Sequence, residues 1–305
     1  MVLNAAKQTL YLLFYLVIGY ALNRAKVLDK ERAKGISNLL VYVMTPTLII
    51  TKMQVPRTPQ LVRDIIYAGL LIIILYTVSI FLCKICFRKE NEYNLLAKFG
   101  SIYSNTGYMG VPVVEAVLGS GAVFYLSILI ALFNVYAFTH GTMVMKRKTD
   151  RLNWKKIAFS PAILAVILGI ILFLSNISLP SVIYTPLELI SSCMTPCAMI
   201  LAGNSLATTD FRAGNAWKYV GKSMAFRLII IPVIATLILA FIPGNIMVKM
   251  AILIGFSCPS ATLTVAFALL YDRDDGMASQ IMSFSTIASI ATIPVMVWFG
   301  NLLIH

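Results

Sequence analysis

The sequence predicts an all-α membrane protein with ten transmembrane helices, arranged as two inverted repeats of five helices each. Three observations lead to this prediction: the composition, the number of apolar segments and the one-sided distribution of basic residues. Of the 305 residues, 59% are hydrophobic and 12% are charged, and the mean hydropathy is +0.86. A soluble protein has about 25% charged residues, so this composition excludes an ordinary soluble enzyme, a coiled coil and a disordered chain.

Ten apolar segments account for most of the chain, and a transmembrane helix needs about 20 such residues. The segments lie at roughly 8–23, 33–53, 65–87, 97–118, 121–145, 160–179, 184–207, 218–242, 247–271 and 277–304. The first is interpreted as a membrane span, because it lacks the basic region and cleavage site of a signal peptide. A polar linker at 146–159 separates a first repeat at 1–145 from a second at 160–305.

The basic residues predict the orientation of these spans. Twenty of the 25 lysines and arginines lie in the loops after spans 1, 3, 5, 7 and 9, and five lie on the other side. Cytoplasmic loops are enriched in Lys and Arg, so both termini are expected outside the cytoplasm of a multi-pass cell-membrane protein. The net charge of +13 therefore reflects topology. We expect no nucleic-acid partner, because no basic stretch is interleaved with stacking aromatic residues.

The cysteines and histidines predict neither a metal site nor a cofactor. All five cysteines lie within or at the ends of apolar segments, and no histidine is near them in sequence. This pattern favours packing residues over a disulfide framework or a zinc site. A membrane-embedded enzyme or sensor remains a remote alternative, since catalysis would require an acid/base constellation that the spans do not supply.

Two landmarks recur in the two halves. Met44-Thr45-Pro46 in span 2 is matched by Met194-Thr195-Pro196 in span 7, 150 residues later, and Pro112 in span 4 is matched by Pro259 in span 9, 147 residues later. Because each half holds five spans, the second half enters the membrane in the opposite direction. Inverted repeats of this kind are typical of secondary transporters.

Helix-breaking residues interrupt spans 4 and 9 at corresponding places. Residues 104–112 read SNTGYMGVP, and residues 255–262 read GFSCPSAT. Unwound backbone at membrane depth occurs only where protein or a water-filled cavity satisfies it. We therefore expect two broken helices, with Pro259 at the first position of a new half-helix. The alternative is a pair of ordinary proline kinks.

Two broken helices would create a binding site for an anion near the membrane midplane. The positive N-terminal ends of both second half-helices would converge there. Neutral hydrogen-bond donors would help to bind the anion without the cost of a full charge in the membrane. The predicted substrate-binding residues are Asn105, Thr106, Gly107, Gly110, Pro112, Ser257, Cys258, Pro259, Ser260 and Thr262.

Ionisable residues within the spans are further candidates. Glu115, about one turn beyond the break in span 4, is either a proton-coupling carboxylate or a residue of the outer vestibule. Arg227 in span 8 either contacts a substrate carboxylate or extends to the inner headgroups. His140 is interpreted as an interfacial histidine that is hydrogen bonded locally. Candidates for lining the same cavity, or for helix packing, are Asn134, Ser283, Ser285, Thr286 and Ser289.

The whole chain resembles the auxin efflux carrier family, which includes plant auxin exporters and bacterial permeases for malate or malonate. The first part of the resemblance is the motif Asn105-x-Gly107-x-x-Gly110-x-Pro112, followed by Glu115 and Gly119. The second part is the run from Tyr271-Asp272 to Met277-Ala278-Ser279, before a Ser/Thr-rich last span.

The resemblance implies the elevator fold of sodium/bile-acid symporters and NhaA-like antiporters. Spans 1, 2, 6 and 7 would form a scaffold domain, often dimeric in the bilayer, and spans 3–5 and 8–10 would form a transport domain. The crossover at Pro112 and Pro259 would hold a substrate carboxylate. The expected function is secondary transport, as efflux, of small organic anions such as auxin-like monocarboxylates or malate/malonate-type dicarboxylates. A sodium- or proton-coupled organic-anion symporter is the alternative.

The sequence also departs from the plant carriers. They have an asparagine at both crossovers, whereas the second crossover here has Ser257 and Cys258. They also have charged residues in span 3, where this chain has none between Asp64 and Lys84. These differences disfavour auxin itself as the substrate and leave an organic anion as the expected substrate class.

Overall fold

The computed structural model describes residues 1–89, 91–146, 159–209 and 217–304, and this part of the chain is helical without a β-strand. The predicted linker at 146–159 falls outside the described residues except at its two ends. The helices are α1 (Val2–Arg24), α2 (Glu31–Lys52), α3 (Pro59–Cys86), α4 (Glu92–Ile102), α5 (Thr106–Leu118), α6 (Ala122–Met145), α7 (Pro161–Leu174), α8 (Ser181–Thr208), α9 (Trp217–Phe241), α10 (Ile246–Ser257), α11 (Leu263–Leu270) and α12 (Asp275–Leu303).

Seven of these helices are long and apolar enough to cross a membrane: α1, α2, α3, α6, α8, α9 and α12. The predicted all-α membrane class is therefore confirmed. Span 6 corresponds to the shorter α7, which has 14 residues. Spans 4 and 9 each correspond to two helices, α4 with α5 and α10 with α11, separated by a few non-helical residues.

Side-chain caps define where several of the helices begin. At the start of α3, α4, α10 and α12, a side-chain oxygen accepts a hydrogen bond from a backbone amide of the first turn. The capping residues are Thr58, Asn91, Asn245 and Asp274, which are residue types favoured at this position. The caps satisfy amide groups that have no partner within the helix.

Short π-helical stretches precede three prolines. The stretches are Leu40–Met44, Thr106–Gly110 and Phe226–Ile230, and Pro46, Pro112 and Pro232 follow two positions after each stretch ends. Proline has no amide hydrogen, and its ring clashes with the carbonyl of the preceding turn. The wider π turn relieves this clash without ending the helix.

Helices α1 and α8 approach so closely that their backbones touch. A Cβ atom on Gly19 would overlap the carbonyl of Ile200, and one on Gly203 would overlap the carbonyl of Leu16. Helices α2 and α7 form a related contact, where a Cβ on Gly169 would overlap the Met53 side chain. Small residues at such contacts let membrane helices pack closely. Together, α1, α2, α7 and α8 correspond to spans 1, 2, 6 and 7, for which the family resemblance implies a scaffold domain.

Candidate functional site

The two interrupted spans meet at their breaks. The backbone amide of Asn105 donates to the carbonyl of Pro259 at 2.7 Å, and the amide of Ala261 donates to the carbonyl of Tyr103 at 2.9 Å. The residues between these bonds form an isolated antiparallel bridge. Each unwound segment therefore satisfies backbone groups of the other, which removes the cost of leaving them unpaired at membrane depth.

The position of Pro259 corrects one expectation from the sequence. Pro259 does not begin a half-helix, because α11 begins at Leu263 with Thr262 as its N-cap. Residues 258–262 lie between the two helices, and Cys258 is extended. A proline that started the helix would have left too short a non-helical segment to pair with Tyr103 and Asn105. In span 4, by contrast, Pro112 lies within α5, after its π-helical first turn.

Most hydroxyl groups at the breaks donate to backbone carbonyls. Thr106 donates to Gly255, Ser257 to Leu253 and Ser260 to Gly100, at distances of 2.8 to 3.1 Å. The Cys258 thiol likewise bonds Ile254 in the turn before it, at 3.3 Å. In this state these side chains close the crossover and do not present their protons to a ligand.

The N-cap residues of the two second half-helices differ from the capping residues Thr58, Asn91, Asn245 and Asp274. Asn105 precedes α5 and Thr262 precedes α11, and neither side chain makes a capping hydrogen bond. Asn105 is only 4% exposed, and its Nδ2 has no hydrogen-bond partner among the described residues. Gly107 lies in the next turn, and a Cβ there would meet no atom within 4 Å. A hydrogen-bond donor without a partner, Asn105 Nδ2, and open space beside Gly107 therefore occur together at the start of α5.

Arg227 lies at the other side of the same crossover. It is fully buried, and its Nη1 donates to the carbonyls of Ser101 at 3.1 Å and Ile102 at 2.9 Å, while its Nη2 donates to the carbonyl of Phe256. Its Nε has no hydrogen-bond partner in the described part of the chain. The alternative in which Arg227 extends to the inner headgroups is wrong, because the side chain is enclosed between α4 and α10.

Glu115 lies away from the breaks, near the end of α5. Its side chain is 45% exposed, and its Oε1 is 3.6 Å from the Nζ of Lys52 on α2. Ala116, the next residue, accepts a hydrogen bond from Asn4 on α1 at 3.2 Å. The end of α5 thus contacts α1 and α2, two of the helices for which the family resemblance implies a scaffold. A proton-coupling role for Glu115 stays a prediction.

The remaining candidates occupy three different settings. His140 is hydrogen bonded to the Tyr103 hydroxyl at 2.9 Å, and Asn134 donates to Ile130 within its own helix at 2.7 Å. The hydroxyl of Ser285 accepts from the Ser260 amide at 3.0 Å and so supports the second break. Ser283, Thr286 and Ser289, also on α12, are buried.

A small cavity lies between α1, α5, α8 and α12. Its volume is about 10 Å³, and the residues that line it include Thr9, Met109, Met199 and Thr286. A space of this size holds about one water molecule. A second pocket, of about 810 Å³, is open to the surface and lined by Arg57, Arg63 and Asn176 among others, far from the breaks in sequence.

One buried polar cluster was missed by the sequence interpretation. Asp64 at the start of α3 is 7% exposed, and its Oδ2 accepts from the Tyr125 hydroxyl at 3.0 Å and from Asn245 Nδ2 at 2.8 Å. The three residues come from three helix ends that are distant in the sequence. No local pattern connects them, so the sequence alone gave no signal for this cluster.

Comparison with known proteins identifies relatives for the whole chain. The sequence model of a family described as membrane transport protein matches residues 5–153 and 145–297. An uncharacterized transporter of Methanocaldococcus jannaschii is 26% identical over 308 residues, covering 95% of this chain and 96% of that protein. An uncharacterized transporter of Methanothermobacter thermautotrophicus is 24% identical over 310 residues, covering 96% and 97% of the two chains.

Proposed function

We propose that this chain, which belongs to the membrane transport protein family of auxin efflux carriers, is a secondary transporter that exports small organic anions. The proposed substrates are auxin-like monocarboxylates or malate/malonate-type dicarboxylates. The anion would bind where the two interrupted spans cross, and an elevator movement of the transport domain would carry it across the bilayer. The proposed scaffold consists of α1, α2, α7 and α8, and it would also form a homodimer.

The observation that carries this proposal is that Asn105 and Thr262, the N-cap residues of α5 and α11, make no capping hydrogen bond with their side chains. An N-terminal helix end presents free amide groups and a positive partial charge, which suit an anion. An unpartnered buried donor is costly unless something binds it, since a lost hydrogen bond of this kind costs about 1–3 kcal/mol. A carboxylate at the start of α5 would accept the Asn105 side-chain amide hydrogen, and the positive end of the helix would offset part of its charge.

The packing of the remaining helices supports an elevator movement. Gly19 on α1 and Gly169 on α7 are 150 residues apart, the same offset as Met44 and Met194, and each lies at a close helix contact. This correspondence supports two inverted repeats. Backbone contact between α1 and α8 favours a rigid scaffold, whereas the small cavity near Met109 lies between that scaffold and the transport helices.

The membrane potential is the proposed energy source for export. Movement of one charge across 100 mV is worth about 2.3 kcal/mol, so anion export is downhill from a cell that is negative inside. The predicted topology, with both termini outside, places the Lys- and Arg-rich loops at the cytoplasmic surface. There they would raise the local concentration of an anionic substrate before it binds.

Ligand binding and transport by purified protein test the proposal. Thermal unfolding is measured with malate, malonate, indole-3-acetate and the neutral diamide of malate, because a ligand that binds only the folded state raises its stability. The carboxylate that stabilises best is then loaded into proteoliposomes, and its release is followed with and without an imposed potential. We expect at least one carboxylate to stabilise the protein and to leave the vesicles faster than the diamide. Stabilisation and release that are the same for the diamide would contradict the proposal.

A further inference from the structure

A single guanidinium group joins the ends of two half-helices at the crossover. The carbonyls of Ser101 and Ile102 belong to the last turn of α4, and the carbonyl of Phe256 belongs to the last turn of α10. All three accept from Arg227, which α9 presents from its π-helical stretch Phe226–Ile230. No carboxylate in the described part of the chain lies within ion-pair distance of Arg227.

The charges at the crossover explain why this contact matters. Four half-helix ends meet there: the C-terminal ends of α4 and α10 and the N-terminal ends of α5 and α11. Each C-terminal end carries about −0.5 and each N-terminal end about +0.5 elementary charge, so the four ends alone sum to about zero. The guanidinium adds one full positive charge and binds only the negative ends. What remains for a ligand is a site of net positive character.

We propose that Arg227 is the positioning residue that makes the crossover selective for anions, acting through the carbonyl ends of α4 and α10. This inference rests on the proposed function and goes beyond it, because the sequence offered only direct contact with the substrate or exposure to headgroups. A purely structural Arg227 would hold the two helices together without setting the charge preference of the site. The two roles predict different results when its charge is removed.

Substitutions of Arg227 separate charge from hydrogen bonding. Arg227→Gln removes the charge, and Arg227→Lys keeps it but lacks the planar fork that bonds two carbonyls at once. We expect Arg227→Lys to unfold at a lower temperature and to keep its preference for malate over the neutral diamide. We expect Arg227→Gln to lose that preference by about tenfold or more, the size expected when a unit charge within about 10 Å of the ligand is removed from the protein interior.

A second variant tests the same idea without altering Arg227. Cys83 on α3 is fully buried and close enough to Arg227 to interact with it electrostatically. Cys83→Asp introduces a carboxylate within electrostatic range of the guanidinium and offsets part of its charge, while Cys83→Ser is the matched neutral control. We expect Cys83→Asp to lower the malate preference in the same direction as Arg227→Gln, and Cys83→Ser to leave it unchanged.

The measurement is the ratio of the dissociation constants for malate and its neutral diamide, determined on folded protein in detergent. An unchanged ratio in folded Arg227→Gln, or in Cys83→Asp if the former does not fold, overturns the inference and leaves the proposed function standing. A wild-type protein that binds none of the tested carboxylates more tightly than the diamide contradicts both. A higher ratio, which means a weaker preference for malate, in the charge-altering variants alone supports Arg227 as the determinant.

Discussion

The hydroxyl of Thr106 donates to the carbonyl of Gly255, 3.1 Å away, and so connects the first turn of α5 to the last turn of α10. The same hydroxyl lies 2.6 Å from that of Ser104. Through this bond, Thr106 helps to hold the two interrupted spans together. The bond also distinguishes Thr106 from Asn105, the preceding residue. The side-chain Nδ2 of Asn105 has no hydrogen-bond partner in the described part of the chain and remains available to a ligand.

Asn105→Ala is expected to weaken substrate binding with little effect on stability. Its Nδ2 has no partner in the described protein, so its removal breaks no internal hydrogen bond. Loss of one hydrogen bond to a charged ligand should raise the KM for malate or the preferred carboxylate by about tenfold. Uptake kinetics in proteoliposomes and the unliganded Tm measure the two effects.

Ser257→Ala is the matched control for Asn105→Ala. The Ser257 hydroxyl donates to Leu253 within its own helix, so its loss should leave the KM unchanged. If Ser257→Ala raised the KM as much as Asn105→Ala, the assignment of Asn105 as the ligand-binding donor would be wrong. A wild-type KM in a folded Asn105→Ala protein would contradict it directly.

Glu115→Gln tests proton coupling. The carboxylate is 45% exposed and paired with Lys52, so we expect its loss to cost less than about 1 kcal/mol of stability, as is usual for exposed ion pairs. If Glu115 carries the coupled proton, the variant's transport rate should lose its dependence on pH. Lys52→Gln breaks the same ion pair but keeps the carboxylate, and it should retain pH dependence. An unaltered pH profile in Glu115→Gln would remove Glu115 from the mechanism.

Gly203→Ala is expected to destabilise the contact between α1 and α8. Its Cβ would overlap the backbone carbonyl of Leu16, and backbone cannot move aside as a side chain can. Overpacking of this kind costs about 1–3 kcal/mol. Gly69→Ala in α3 is the control, because a Cβ there meets nothing within 4 Å and alanine favours the helix. Equal unfolding temperatures for the two variants in detergent would show that the contact is not close.

Pro259→Ala is expected to slow transport without preventing membrane insertion. Alanine restores an amide hydrogen and permits the helix of α10 to continue through the break, which would remove the Pro259 carbonyl from Asn105. Pro180→Ala, at the exposed start of α8, should transport at the wild-type rate. Wild-type rates for both variants would show that the shape of the second break is not set by its proline.

The positions of the two breaks could be predicted because their cause is local. Glycine, proline and asparagine in an apolar span leave backbone groups that only a partner can satisfy, and the matched positions indicated that each break is the partner of the other. The starting residue of α11 could not be predicted. It depends on how much extended chain is needed to reach Tyr103 and Asn105, which is a property of the assembled pair.

The contacts of Arg227 and Asp64 illustrate what a single sequence cannot supply. A buried arginine is recognisable as a candidate from its place in span 8, but the carbonyls that receive it belong to α4 and α10. Likewise, Asp64 meets Tyr125 and Asn245 through helix ends that are adjacent only after folding. Both environments depend on helix packing, which periodicity and spacing do not encode.

The pairing of Tyr103 and Asn105 with Ala261 and Pro259 has a consequence for biosynthesis. A ribosome delivers residues 103–105 to the membrane long before residues 259–261 exist, so the first break enters the bilayer with its backbone partners still unmade. During that interval, water or the insertion machinery has to satisfy those groups. Maturation of the site is therefore among the last events of assembly, because its backbone pairing needs both halves of the chain.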